Sequence, residues 1–223
     1  MGRSSPNLAN WTLIQTGKLT PLVVGKPGMG KSWIAAAFAR ATGRQIYTLI
    51  GSLREPSDIG GYPHAMTVET IDPVTGKKVV TYMAIIPPKY VVDCMEKDWF
   101  LFIDELTTCP PAVQAAMLGI IAEGRVGDVM LPPGVWKGAA CNPPGCAANG
   151  FDLEPPMANR VIHLPWEFDA QAWMRGMASG GNHFPVPEFE VLPSDWERHM
   201  GTGCSRVASF HQHMPSLIDA SPD

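Results

Sequence analysis

The run Gly25-Lys26-Pro27-Gly28-Met29-Gly30-Lys31-Ser32 sets a lysine and a hydroxyl behind a glycine-spaced loop, Gly-x-x-x-x-Gly-Lys-Ser. Glycines there let backbone N–H groups converge on an anion, and the start of the following helix adds its positive dipole end. In such a loop Lys31 reaches the β- and γ-phosphates, and the Ser32 hydroxyl ligates magnesium. The spacing predicts a site for ATP with Mg2+, formed by Gly25, Lys26, Pro27, Gly28, Met29, Gly30, Lys31, Ser32 and the adjoining Trp33. A glycine-rich turn opening an ordinary helix would explain the loop alone, but not the acids downstream.

Those acids end the apolar run Phe100-Leu101-Phe102-Ile103-Asp104-Glu105. Two carboxylates at the tip of a buried strand are costly unless a cation or solvent meets them. Asp104 is read as part of the nucleotide site and, with Ser32, as a metal residue, holding magnesium through water or through Ser32. Glu105 is read as the general base that polarises an attacking water. Asn142, in Cys141-Asn142-Pro143-Pro144, is a candidate for orienting that water; the alternative is a turn-forming Asn before proline. Arg160, in Met157-Ala158-Asn159-Arg160-Val161, is a candidate for meeting the γ-phosphate of a neighbouring subunit. Its alternative is a surface salt bridge. The catalytic set is therefore Glu105, Asn142 and Arg160, with Arg125 a second candidate for contact between subunits.

Such a set needs several strands that end side by side. Pro21-Leu22-Val23-Val24 reads as a buried strand stopping at Gly25. Ala-rich Lys31 to Thr42 reads as a helix with Gly43 as its stop. Strands are expected at Gln45–Ile50, Trp99–Asp104, Val135–Cys141 and Asn159–Leu164, and helices at Pro88–Lys97 and Pro110–Glu123. The stretch from Gly51 to Pro88 breaks the rhythm, and Asp72-Pro73-Val74-Thr75-Gly76-Lys77 is a turn signal between strand-like flanks. It is read as an inserted hairpin at about 54–88. Strands alternating with helices imply an α/β fold on a parallel five-stranded sheet. Ala170 to Met177 reads as a short helix, and a boundary is expected near Asp169, dividing a core at 1–168 from a partial lid or helical region at 169–223.

Taken together, Gly25 to Ser32, Leu-Phe-Ile-Asp-Glu-Leu at 101–106, Val-Gln-Ala-Ala-Met-Leu at 113–118, Glu-Gly-Arg-Val at 123–126, Cys-Asn-Pro-Pro at 141–144 and Met-Ala-Asn-Arg at 157–160 resemble the AAA+ ATPases, and within them the MoxR-like branch. The resemblance runs from Leu19 to Pro165. It implies a three-layer P-loop NTPase fold, with Lys31 and Ser32 in Walker A and Asp104 and Glu105 in Walker B. Asn142 then matches sensor 1 and Arg160 the trans-acting arginine finger. It further implies hexameric rings with ATP at subunit interfaces, and a protein substrate, in this branch often a von Willebrand A-domain partner. The insert falls where the branch carries its helix-2 insertion, making Tyr62, Met66 and Tyr82 to Ile86 candidates for substrate contact; packing within the hairpin is the alternative. The finger segment reads Asn159-Arg160-Val161 where the family has Asp-Arg-Phe. No sensor-2 arginine is legible, Arg206 being a poor substitute, so the helical C-terminal region is expected to be short and incomplete.

Composition narrows the alternatives. A net charge of −4 without any basic run argues against tight non-specific nucleic-acid binding, leaving only a local basic groove open. No apolar run is long enough to span a membrane and the first residues carry no apolar signal core, so a cytoplasmic protein is expected. Five scattered cysteines are an odd number, which favours reduced thiols. His199, Cys204, His211 and His213 are metal-ligand types in no recognised finger spacing, and the question of a metal there stays open. Trp166, Phe168 and Trp173 are read as the seam between core and lid. The leading functional reading is an ATPase that remodels a protein partner. A nucleotide-gated binding module with slow turnover and a nucleic-acid motor or loader are the alternatives.

Overall fold

The computed structural model of the chain describes residues 10–16, 19–72, 76–96, 98–143, 145–146, 150–167, 169–178, 189, 195 and 198. In chain order the elements are β1 (Pro21–Val24), α1 (Lys31–Ala41), β2 (Gln45–Ile50), α2 (Pro56–Gly60), β3 (Tyr62–Asp72), β4 (Gly76–Ile86), α3 (Lys89–Glu96) and β5 (Trp99–Asp104). They continue with α4 (Pro111–Leu118), β6 (Arg125–Val126), β7 (Val129–Met130), β8 (Trp136–Cys141), α5 (Pro155–Ala158), β9 (Ile162–Pro165) and α6 (Ala170–Ala178). Residues 1–190 and 191–223 form two compact units. Of the second, Asp195 and Arg198 are described, and the Arg198 N–H donates to the Asp195 carbonyl at 2.9 Å.

Strands β2, β5, β8, β1 and β9 lie in that order, every pair parallel. Their near-continuous apolar sequences follow from being covered on both faces. Side chains alternate between two buried layers. Val23, Phe100, Phe102 and Ala140 join Trp11, Ile34 and Phe38 on the α1 side. Leu22, Leu101, Ile103 and Ala139 join Val91, Val113 and Met117 on the other. This is a three-layer α/β domain, as the sequence predicts. Phe38 is fully buried against Trp11 and Phe100, with ring centroids at 5.2 and 5.6 Å, so Phe38→Ala removes about 3–5 kcal/mol.

Helix α1 shows how local sequence sets these layers. Ile34, Ala35, Phe38 and Ala39 share its buried face at helical spacing. It stops where the Thr42 hydroxyl turns back to the Phe38 carbonyl at 2.8 Å and Gly43 takes a left-handed φ of 68°.

The insert contains α2 and a two-stranded antiparallel ribbon, β3 with β4, in register from Tyr62↔Ile86 to Asp72↔Gly76. Both of its faces are largely exposed, with Tyr62, Met66, Val68, Tyr82 and Ile86 together on one of them. Its base is braced by the β6–β7 hairpin, where the Asp128 carboxylate accepts the Ile85 N–H at 3.0 Å. Gly127, at φ 54°, leaves no room for a Cβ between Ile85 and the Gly60 carbonyl.

Three features depart from sequence expectation. The last strand, expected from Asn159, begins at Ile162, because Asn159 and Arg160 close the turn after α5, their N–H groups donating to the Pro155 and Met157 carbonyls at 3.2 and 3.0 Å. The helix expected from Pro110 to Glu123 is α-helical only to Leu118, and Gly119–Glu123 widens into a π-turn. Gly119 is a weak helix former, and the Ile121 carbonyl is taken by the buried Lys137 ammonium at 3.3 Å and the Thr20 hydroxyl at 3.5 Å. The short β6–β7 hairpin that follows was not anticipated; two-residue strands carry no readable period. Phe168, His199, Cys204, Arg206, His211 and His213 lie outside the described residues, as does the Trp173 side chain. No helix among the described residues is long and apolar enough to cross a membrane.

Candidate functional site

The strand order sets β5, β8 and β1 side by side, so the residues just past their carboxyl ends converge: Glu105, Asn142 and Gly25. Ligands of parallel α/β sheets bind at such ends, where the chain switches direction between strands. An open cleft of about 380 Å³ lies there, lined by residues 27–33, Asp104, Glu105, Cys141 and Asn142.

The glycine loop is held open at both ends. The Gly25 N–H donates to the Cys141 carbonyl at 3.2 Å, and Gly28 and Gly30 each take φ 77°. The Trp166 N–H donates to the Val24 carbonyl at 2.8 Å, and its indole Nε1 donates to the Met29 carbonyl at 3.0 Å. A Cβ on Gly25 would lie 3.0 Å from the Trp166 Cβ, so the tryptophan packs directly on the loop's first residue. Sequence reading assigned Trp166 to a core–lid seam; the bracing of the loop depends on β9 pairing with β1, which no local pattern reveals.

Lys31 is 9% exposed and folds over the loop. Its Nζ donates to the Gly25 carbonyl at 2.6 Å, the Lys26 carbonyl at 3.0 Å and Asn142 Oδ1 at 2.9 Å. Burial lowers the Lys31 pKa, and the charges of Asp104, Cys141 and Glu105 act against that shift. All its acceptors are neutral, so an anion entering the cleft offers the ammonium a stronger partner.

The Ser32 hydroxyl donates to Asp104 Oδ2 at 2.5 Å, joining the first turn of α1 to the tip of β5. A hydroxyl and a carboxylate oxygen in contact are hard-oxygen groups of the kind that could hold a magnesium ion. No group of three or more His, Cys, Asp or Glu suited to a metal occurs among the described residues.

Glu105 has φ 57° and ψ 40°, the one positive φ outside glycine among the described residues. A side chain in this left-handed region costs on the order of 1 kcal/mol and persists where its surroundings fix it. Here the Glu105 N–H donates to Asp104 Oδ1 at 2.9 Å, the Thr108 hydroxyl donates to the Glu105 carbonyl at 2.8 Å, and the Ser52 hydroxyl donates to Glu105 Oε2 at 2.5 Å. Sequence reading missed Ser52. Its signal was a hydroxyl just past β2, legible only once β2 is known to neighbour β5.

Arg160 stands apart from this cleft. The pairing of Pro21 with Ile162 and of Val24 with Pro165 puts it before the opening end of β9, at least about 10 Å along the strand from the glycine loop. Strand β9 is the edge of the sheet, and the Arg160 residue is exposed. Arg125 is engaged locally, its Nε 3.1 Å from Glu123 Oε2.

The family described as AAA domain (dynein-related subfamily) matches residues 21–132, half of the chain. Among solved structures, a crystal structure from Cytophaga hutchinsonii, assigned provisionally as an ATPase, aligns with 19% identity and a TM-score of 0.48 over 78% of this chain and 50% of that one. This chain thus spans half the length of that relative. Comparison with curated proteins returns no match. With its glycine loop, its paired acids and strands β1, β2 and β5 of the parallel sheet inside the matched region, the chain belongs to the AAA domain family, dynein-related subfamily, of the AAA+ ATPases.

Proposed function

We propose that the chain binds ATP with magnesium in the cleft at Gly25–Ser32 and hydrolyses it, and that it does so at the interface of a ring. The observation that carries the reading is the convergence of Lys31, Ser32, Asp104, Glu105 and Asn142 on one opening. When bound, magnesium neutralises phosphate charge and orients the triphosphate. Lys31 exchanges its contacts with Gly25, Lys26 and Asn142 for phosphate oxygens. That exchange frees the Asn142 amide to hold a water in line with the γ-phosphorus. Glu105 takes a proton from this water as its oxygen bonds to phosphorus. The bond from the γ-phosphorus to the bridging oxygen breaks, leaving ADP and phosphate.

Arg160 is too far along β9 to serve its own cleft, so its guanidinium is assigned to the γ-phosphate of a neighbouring subunit. By resemblance the ring is a hexamer and the branch MoxR-like. Its work is remodelling or activating a protein partner, of which a von Willebrand A-domain protein is the leading candidate. The exposed apolar face of β3–β4 supports that role, because an isolated two-stranded ribbon gains stability by covering such a face. Residues 1–168 serve as the nucleotide-binding core and 169–223 as a partial lid.

The shared site is tested by phosphate release from mixtures of Arg160→Ala and Glu105→Gln chains, each inactive alone. Mixed interfaces pair an intact cleft with an intact arginine, so activity reappears on mixing. Absence of recovery at every ratio, in preparations shown to co-assemble, contradicts the shared site.

A further inference from the structure

Gln114 on α4 is 0% exposed, and its side-chain amide is spent wholly on backbone groups of two segments. Its Nε2 donates to the Cys109 carbonyl and the Asp152 carbonyl, each at 3.3 Å, while Oε1 accepts the Glu154 N–H at 3.1 Å. Two carbonyls on one side and an N–H on the other allow only one orientation of the amide. A hydrocarbon side chain of the same volume would fill this position but leave the Cys109 and Asp152 carbonyls and the Glu154 N–H without this partner. What the amide adds is geometry.

The two segments are the ones that matter for the site. Cys109 closes the turn that begins at Glu105, and the Phe151 N–H donates to the Thr107 carbonyl within it at 2.7 Å. The Thr107 hydroxyl in turn donates to the Asn142 carbonyl at 3.3 Å, and the Asn142 side chain meets Lys31. On the other side, the Glu154 carbonyl accepts the N–H groups of Met157 and Ala158 and opens α5, and the Arg160 N–H donates to the Met157 carbonyl at 3.0 Å. A continuous hydrogen-bonded path therefore runs from the phosphate lysine through Gln114 to the turn that carries Arg160.

We propose that Gln114 is a positioning residue that ties the state of a subunit's own phosphate cleft to the placement of its Arg160 in the neighbouring cleft. This rests on the reading of Arg160 as acting between subunits. Gln114 touches neither nucleotide nor water; it acts through the 151–154 segment.

The test uses full-length Gln114→Met, which keeps the volume and removes the amide, and Phe151→Pro, which removes the N–H donated to Thr107 at an exposed position. Both variants retain ATP affinity within about twofold and lose turnover by on the order of tenfold to a hundredfold, as misplacement of a distant catalytic group does. The decisive readout is complementation. Each variant regains turnover when mixed with Glu105→Gln, which supplies a well-placed Arg160, and does not when mixed with Arg160→Ala. Recovery with Arg160→Ala instead assigns Gln114 to its own subunit's Glu105 and overturns the proposal. Recovery with neither, in a preparation where Arg160→Ala and Glu105→Gln complement each other, also overturns it, since the defect is then a general loss of structure. If that control pair fails to complement, the reading of Arg160 falls and takes this inference with it. Should Gln114→Met not fold, Phe151→Pro decides alone by the same pattern.

Discussion

The Ser52 hydroxyl and the Glu105 carboxylate meet at 2.5 Å across the ends of two neighbouring strands. The bond occupies Oε2 of the proposed general base and turns part of its charge away from the cleft. Ser52→Ala is expected to release the side chain and raise basal ATP turnover a few-fold, on the scale of about 1 kcal/mol for one such bond. Steady-state phosphate release at saturating ATP checks it; unchanged or lower turnover means that the contact does not restrain Glu105.

Gly51 precedes Ser52 and packs against Cys109, where a Cβ would collide with the Cys109 sulfur and lie 3.3 Å from the Met117 terminal methyl. Both neighbours are fully buried, so neither yields easily. Gly51→Ala is predicted to destabilise the fold by about 1–3 kcal/mol, whereas Gly60→Ala, with nothing near its Cβ, changes stability by about 0.5 kcal/mol or less. Urea midpoints of the two variants distinguish them. Equal midpoints contradict the packing at Gly51.

How much of this was legible in advance follows from where the information lies. Residues 21–32 and 99–105 announce themselves because a strand buried on both faces is an unbroken apolar run, and because a glycine-spaced loop or two acids at its end have few other uses. Asn142 was found the same way, at the end of Ala139-Ala140-Cys141. Ser52, Trp166 and Gln114 were not assigned these contacts. Each works through a partner tens of residues away, and which strands lie side by side is not written in either strand's own period. The π-turn at Gly119–Glu123 escaped because its apolar spacing still reads as helix.

The loop brace by Trp166 gives a second kind of prediction. Trp166→Phe keeps the ring against the glycine loop and loses the bond to the Met29 carbonyl. ATP affinity should fall by about three- to tenfold, the scale of one neutral hydrogen bond of about 1 kcal/mol, with turnover of the bound nucleotide nearly unchanged. Titration with a fluorescent ATP analogue measures it; a loss of turnover at unchanged affinity would place the effect elsewhere.

Cysteine chemistry reports on the core. Burial pushes the Cys94, Cys109 and Cys141 thiols up to about 11 from an ordinary 9.0, while Cys146 is exposed. Among these four, iodoacetamide at pH 8 should modify Cys146 first and the other three only with unfolding. The sign for stability follows. A thiol whose pKa is raised by folding binds more protons in the folded state, so its contribution is intact below pH 9 and is lost as pH rises from 9 towards about 11. Urea midpoints that stay flat across that window contradict the burial of these thiols.

The most direct measurement of the account is Glu105→Gln assayed side by side for ATP binding and phosphate release in the presence of magnesium. The amide keeps the size of the side chain and its contact with Ser52 but cannot take a proton from water. Nucleotide affinity is expected within about twofold of the parent chain, with phosphate release lowered by on the order of a hundredfold or more. Equal release from parent and variant contradicts Glu105 as the base: equally fast release means hydrolysis without it, and equally slow release leaves a chain that binds nucleotide without turning it over.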